Sequence, residues 1–196
     1  LVVRQMFRPK PVLPQLELLE PVIKKEYRDL AKKAANGTSD DWMELAQALL
    51  GYGFFPYAET CFRRAFELAP RNIVAQYSVA FCLDRTGRTS EAIEIYREIL
   101  PQVEGQRLED CQYAIASNLL REERTAEAEE IFSTTNNSSR AAYQYSKILI
   151  RQGRAKNALE VIENFLQYVP NSIRLFHQQI LAFEAIGETE QAVVAS

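Results

Sequence analysis

One histidine, His177, occurs in the 196 residues, and the three cysteines, Cys61, Cys82 and Cys111, stand far apart with no CxxC pair. No cysteine or carboxylate lies at ligand or triad spacing from that histidine, so the sequence offers neither a metal centre nor a nucleophilic dyad. The cysteines are read as free thiols packing as small apolar residues, which fits a reducing compartment. The seven glycines occur mostly singly, and no phosphate-cradling loop can be assembled from them. Acidic runs such as Glu122-Glu123 and Glu127 with Glu129-Glu130 read as solvated helix faces rather than as paired acid and base in a cleft. No run of about twenty apolar residues is present, which leaves no ordinary membrane-spanning helix. A formal net charge of −3 lacks the basic excess of a nucleic-acid binder. Taken together, these absences predict a protein without enzymatic chemistry, cofactor, metal or nucleic-acid partner.

What is present is a pattern. With 47% hydrophobic and 25% charged residues the composition suits a sizeable packed core. Between Ser39 and Pro70 the chain reads Trp42-x2-Leu45-Ala46-x2-Leu49, then Gly53, then Ala58-x3-Phe62-x2-Ala65 and Pro70. Steps of three and four put Trp42, Leu45, Ala46 and Leu49 on one face of a first helix, and Ala58, Phe62 and Ala65 on one face of a second. Gly53 marks the turn, and the small side chains at Ala46 and Ala58 let the two axes approach. A lone pair of this kind cannot bury its apolar stripe, so further copies are expected. The second-helix alanine recurs as Ala58, Ala92, Ala128, Ala158 and Ala192, and the turn glycine as Gly53, Gly87, Gly153 and Gly187, with Glu123 in its place in the third copy.

This register resembles the tetratricopeptide repeat, a helix-turn-helix unit of roughly 34 residues with Trp, Leu, Gly, Tyr, Ala, Phe and Pro at fixed offsets. Ala46 stands where Gly is usual and Leu49 where Tyr is usual. The resemblance implies an all-α, right-handed superhelical solenoid of about four and a half repeats. Their expected spans are near 39–72, 73–106, 109–137, 139–171 and 172–196, the last cut off within its second helix. In the third copy the turn lacks glycine and Ser133–Ser139 is polar, so its second helix should be short.

Ahead of the repeats, residues 1–20 carry Pro9, Pro11 and Pro14 and should form an extended arm whose leucines 13, 16, 18 and 19 lie against the repeats. Residues 21–37 should be an amphipathic helix, with Ile23, Tyr27, Leu30 and Ala34 on one face and Lys24, Lys25, Arg28, Lys32 and Lys33 around the other. It either covers the open end of the first repeat or lies on a membrane surface. Residues 1–38 hold eight Lys/Arg against four Asp/Glu, whereas the remainder holds 15 against 22. The opening Leu1-Val2-Val3 before Arg4 is either the exit end of a removed signal or anchor helix or a trimmed tail. Two localisations follow, cytoplasmic or membrane-tethered and exported.

By resemblance, the first helices line a groove that takes an extended peptide or a partner helix. The family's groove-facing fifth position reads Met43, Tyr77, Tyr113, Tyr143 and His177 in successive copies. The thirteenth reads Gly51, Arg85, Arg121, Arg151 and Ala185, and Phe81 and Lys147 stand at the ninth. Tyr77, Phe81, Arg85, Tyr113, Arg121, Tyr143, Lys147 and Arg151 are the candidate binding residues. Tyrosine offers rigid area and arginine a carboxylate fork, so the implied partner is an acidic, aromatic-containing segment. The alternative is that the tyrosines pack on neighbouring helices and the arginines are solubilising. A Lys/Asn clamp for a C-terminal carboxylate, known in one subtype, is absent, since Met43, Gln47, Ser78, Asp110 and Ala114 occupy its positions. The overall expectation is an interaction scaffold. The other reading is a structural subunit or assembly factor of a larger, membrane-attached complex, with the C-terminal edge around Phe176, Ile180 and Phe183 against another chain.

Overall fold

The repeats are visible as alternating helices. The computed structural model describes residues 10–17, 19–135 and 138–187, and among these there are ten α-helices and no strand. The start of the arm, Leu18, Asn136-Asn137, Ala192 and the second helix of the fifth repeat lie outside the described residues. The chain divides into two compact units at Gln102–Val103.

The first unit holds α1 (Pro21–Ala35), α2 (Ser39–Gly51), α3 (Phe55–Leu68), α4 (Ile73–Arg85) and α5 (Thr89–Ile99), followed by a 3-10 turn at Leu100–Gln102. α2 begins where the Thr38 backbone N–H donates to the Asp41 carboxylate at 2.7 Å, satisfying a donor that a helix start leaves open. Lys33 on α1 meets the same carboxylate at 3.1 Å. Its hydrogen bonds, that from Thr38 first, hold the Asp41 pKa below the usual range. Trp42, Leu45, Ala46 and Leu49 are buried against Ala58, Cys61, Phe62 and Ala65 of α3. Tyr27 is 1% exposed, and its hydroxyl donates to the Ala48 carbonyl at 2.9 Å while its ring meets Tyr52 and Phe54 edge-on. The apolar face of α1 covers the first repeat, Lys33 reaches across to α2, and Lys25 and Lys32 stand outward. Pro14 and Leu16 of the arm are buried, and residues 10–16 form no helix.

The second unit holds α6 (Gly105–Arg121), α7 (Thr125–Thr134), α8 (Ser139–Arg151), α9 (Ala155–Leu166) and α10 (Ile173–Ile186). α6 starts four residues before Glu109, so the break after Pro101 is shorter than the stretch Gln102–Arg107 suggests. The Gln106 amide, donating to Asp110 at 3.3 Å, holds the added turn. Leu149, Ala155, Ala158 and Ala182 form one core cluster, and Ala142, Ile162 and Leu175 another. Phe183 is buried, and Phe176 and Ile180 are half-buried.

Turn conformation explains one irregularity. Gly53, Gly87 and Gly153 have φ of 78°, 81° and 74°, the left-handed region in which a side chain is disfavoured. Glu123 takes the same conformation at φ 61°. The third turn is thus built like the others without glycine, and the Arg124 N–H closes it onto the Leu119 carbonyl at 2.9 Å.

A charged clasp joins successive copies. The buried carboxylate of Glu59 on α3 accepts from Arg63 at 2.8 Å and from Arg88, at the α5 start, at 3.0 Å. Glu129 on α7 accepts likewise from Arg154 at the α9 start and from Gln152 at 3.0 Å. Arg124, at the α7 start, pairs within its own turn instead, with Glu127 and Glu122 at 2.6 and 3.0 Å.

All three cysteines are buried and free. Burial pushes the thiols of Cys61 and Cys82 up to about 12 and that of Cys111 up to about 11. Almost no thiolate exists near neutrality, and the thiolate is the reactive form. Folded protein is expected to resist a thiol-specific disulfide reagent at about pH 8 and to label at all three positions in urea. Rapid labelling of the folded chain would contradict this packing.

Candidate functional site

The candidate residues fall on first helices, and each unit has its own set. In the first unit Tyr77, Phe81 and Arg85 lie at steps of four along α4, hence on one face. Tyr77 is half-buried, its ring 5.4 Å from that of Tyr96 on α5. Phe81 packs at 6.5 Å from Phe55, and the Arg85 guanidinium lies 5.4 Å from the centre of that Phe55 ring. Met43, at the corresponding place on α2, is buried. The first unit therefore presents an aromatic patch with a cation stacked on it.

In the second unit Tyr113 on α6 and Tyr143 on α8 come together in the wall of one cavity of about 90 Å³, with Ser139, Arg140, Gln144, Ser172 and Arg174. Tyr113 has one side against Phe132 of α7, with ring centres 6.2 Å apart. Its ring also carries the Arg140 guanidinium, 4.7 Å from its centre. Arg140 in turn donates to Asp110 at 2.7 Å. A cation held this way is positioned by a ring and a carboxylate, and keeps further N–H groups for a ligand. Arg174, at the start of α10, adds a second cation to the same wall.

Neither Arg140 nor Arg174 was among the candidates, although a signal existed. They precede Tyr143 and His177 by three residues, one helical step on the same face. Conversely, Arg121, Lys147 and Arg151 do not line the cavity. Arg85, Arg121 and Arg151 are each the last residue of their helix, where a cation meets the negative end of the peptide dipoles. That role alone accounts for their regular spacing. Tyr77 and Tyr113 pack on the second helices α5 and α7 and remain half-buried.

His177 is exposed, and among the described residues no cluster of His, Cys, Asp or Glu could hold a metal ion. No helix among the described residues is long and apolar enough to cross a membrane.

No family model matches the chain, and no curated protein matches it. Solved structures do. The crystal structure of the MamA protein superposes with a TM-score of 0.63 at 18% identity, covering 80% of this chain and 87% of that one. YrrB, described as a tetratricopeptide-repeat protein with an unusual peptide-binding site, gives 0.62 at 16% identity over 88% of both chains. A tetratricopeptide repeat protein from Parabacteroides merdae gives 0.64 at 16% identity, covering 88% of this chain and 68% of its own. At these identities the likeness is one of fold. With the registered alanines and left-handed turns already described, it shows that this chain has the tetratricopeptide-repeat fold.

Proposed function

We propose that the chain is a non-catalytic protein–protein interaction scaffold. Its second unit binds an extended acidic, aromatic-containing segment along the face of α6, α8 and α10. The observation that carries this reading is the cavity in which Tyr113 and Tyr143 stand with Arg140 and Arg174. Half-open aromatic rings give area at little entropic cost, and two guanidinium groups donate to carboxylates as forks. Arg121 lies eight residues past Tyr113 on α6, and Lys147 and Arg151 four and eight past Tyr143 on α8, so their charge would steer an acidic segment along this face. Tyr77, Phe81 and Arg85 offer the same pairing of ring and cation in the first unit. The peptide-binding site ascribed to YrrB, a protein of like fold, supports the choice of ligand class.

The test is a titration of fluorescein-labelled peptides, one rich in Asp, Glu and Phe and one with those acids made amides. The acidic peptide should bind more tightly, and Tyr113→Ala should weaken it by about 1–2 kcal/mol, as for a central aromatic anchor. Circular dichroism separates this from unfolding, because Tyr113 also packs on Phe132. Equal affinity for both peptides, or a folded Tyr113→Ala that binds as before, would overturn the reading.

A further inference from the structure

A second cavity of about 380 Å³ opens in the second unit between α7, α8 and α9, and it shares no lining residue with the first. Unequal helix lengths create it. α7 stops after ten residues at Thr134, whereas α9 runs twelve to Leu166, and its winding continues as Val169 N–H donates to the Phe165 carbonyl at 3.0 Å. The last turn of α9 therefore overhangs the end of α7. Thr135, which fills the place of Ala65, Ile99 and Phe165 in the first, second and fourth copies, is buried. Its hydroxyl donates back to the Ile131 carbonyl at 2.8 Å, so it makes no demand on the cavity.

Two features define what would fit. Four aromatic rings, Phe132, Tyr145, Phe165 and Tyr168, line the space, and the polar lining consists of neutral groups such as the Asn164 and Gln167 amides. In a chain that is 25% charged, no lining residue carries a charge. A charged occupant would lose its hydration with no counter-charge in return, so the lining selects a neutral one. The volume falls in the usual range of ligand pockets, roughly 300–1,000 Å³. At the mouth Tyr168 is 82% exposed, and the next residue, Val169, is 40% exposed. Apolar surface beside a pocket favours an occupant that continues past the mouth, which a protein segment does and a free small molecule does not.

We infer that this cavity is a second docking site, receiving an uncharged aromatic side chain from a partner protein segment. It is independent of the acidic-ligand face proposed above.

The probe is N-acetyl-tryptophanamide, a neutral capped aromatic residue, titrated into the ¹⁵N-labelled full chain by NMR. Saturable shifts are expected at the amides of the α7 C-terminus and of Asn164 to Tyr168. They should be lost in Asn164→Trp, which fills the space from its exposed rim with the fold preserved. Tyr168→Ala, at a position too exposed to matter for folding, should weaken the response. Absence of saturable shifts would overturn the inference, as would shifts unchanged in folded Asn164→Trp or confined to the Tyr113 and Tyr143 cavity. A sedimenting dimer that Tyr168→Ala dissociates would assign the cavity to a second copy of this chain and overturn it too. An unresponsive acidic-peptide titration would leave this result untouched, because the two sites share no residue.

Discussion

Phe62→Ala is expected to cost the first unit roughly 3–5 kcal/mol, the range for removing a fully buried ring from a packed core. Phe62 has no exposed surface, and Leu45, Leu49, Ala58 and Ala65 around it have none either. Those neighbours sit on two helices whose spacing is set by small residues, so they cannot collapse into the vacated space. Ala58→Leu attacks the same contact from the other side, and overpacking there should cost about 1–3 kcal/mol. Gln47→Ala, on the exposed side of α2, is the control and should stay within about 0.5 kcal/mol. Whole-domain stabilities are about 5–15 kcal/mol, so the first change alone removes a large share. Urea melts followed by helical circular dichroism would read the series. Coincident midpoints for all three would mean that the repeat register is misplaced.

That register was legible because it rests on close packing, which admits few side chains. Ala58, Ala92, Ala128 and Ala158 all have no exposed surface, and each lies where a second helix approaches a first. The Glu123 turn shows how far the pattern reaches, since backbone geometry persists where the expected residue does not. The shortness of α7 was also readable, from its polar continuation at Ser133. Its consequence was not, because a cavity depends on where α9 ends relative to α7, and periodicity gives no relative lengths in space. The clasp illustrates a different blindness. Glu59 with Arg88 and Glu129 with Arg154 occupy equivalent places in alternate copies, a pairing visible only across a repeat boundary. At the candidate site, equivalent positions of successive copies likewise do not carry which side chains share a wall. A row of arginines at helix ends looks like a binding stripe, yet helix dipoles require no ligand to favour it. The cations that share a wall with the tyrosines lie one helical step earlier.

Reversal of charge separates those two sets of arginines. In Arg140→Glu/Arg174→Glu the binding of an acidic, aromatic-containing peptide is expected to fall at least tenfold, about 1.4 kcal/mol. Both side chains line the cavity with Tyr113 and Tyr143, so the change acts on the bound state and should raise the dissociation rate. Reversing Arg121 and Arg151 instead acts at a distance. It should slow association and flatten the salt dependence, because what is removed is screened, long-range attraction. It should also cost stability, on the order of 0.3–1 kcal/mol per helix end, since each glutamate would face the negative end of its helix. Arg140→Glu would set a carboxylate beside Asp110, so Arg174→Glu alone is the cleaner variant should the double change disturb folding. Stopped-flow kinetics at two salt concentrations distinguishes the cases. If Arg174→Glu leaves both rates unaltered while the helix-end variant raises dissociation, the ligand lies along the helix ends and the cavity is not its anchor. If neither set matters, the face of α6, α8 and α10 does not bind an acidic segment, and Tyr113 and Tyr143 are there to pack the repeats.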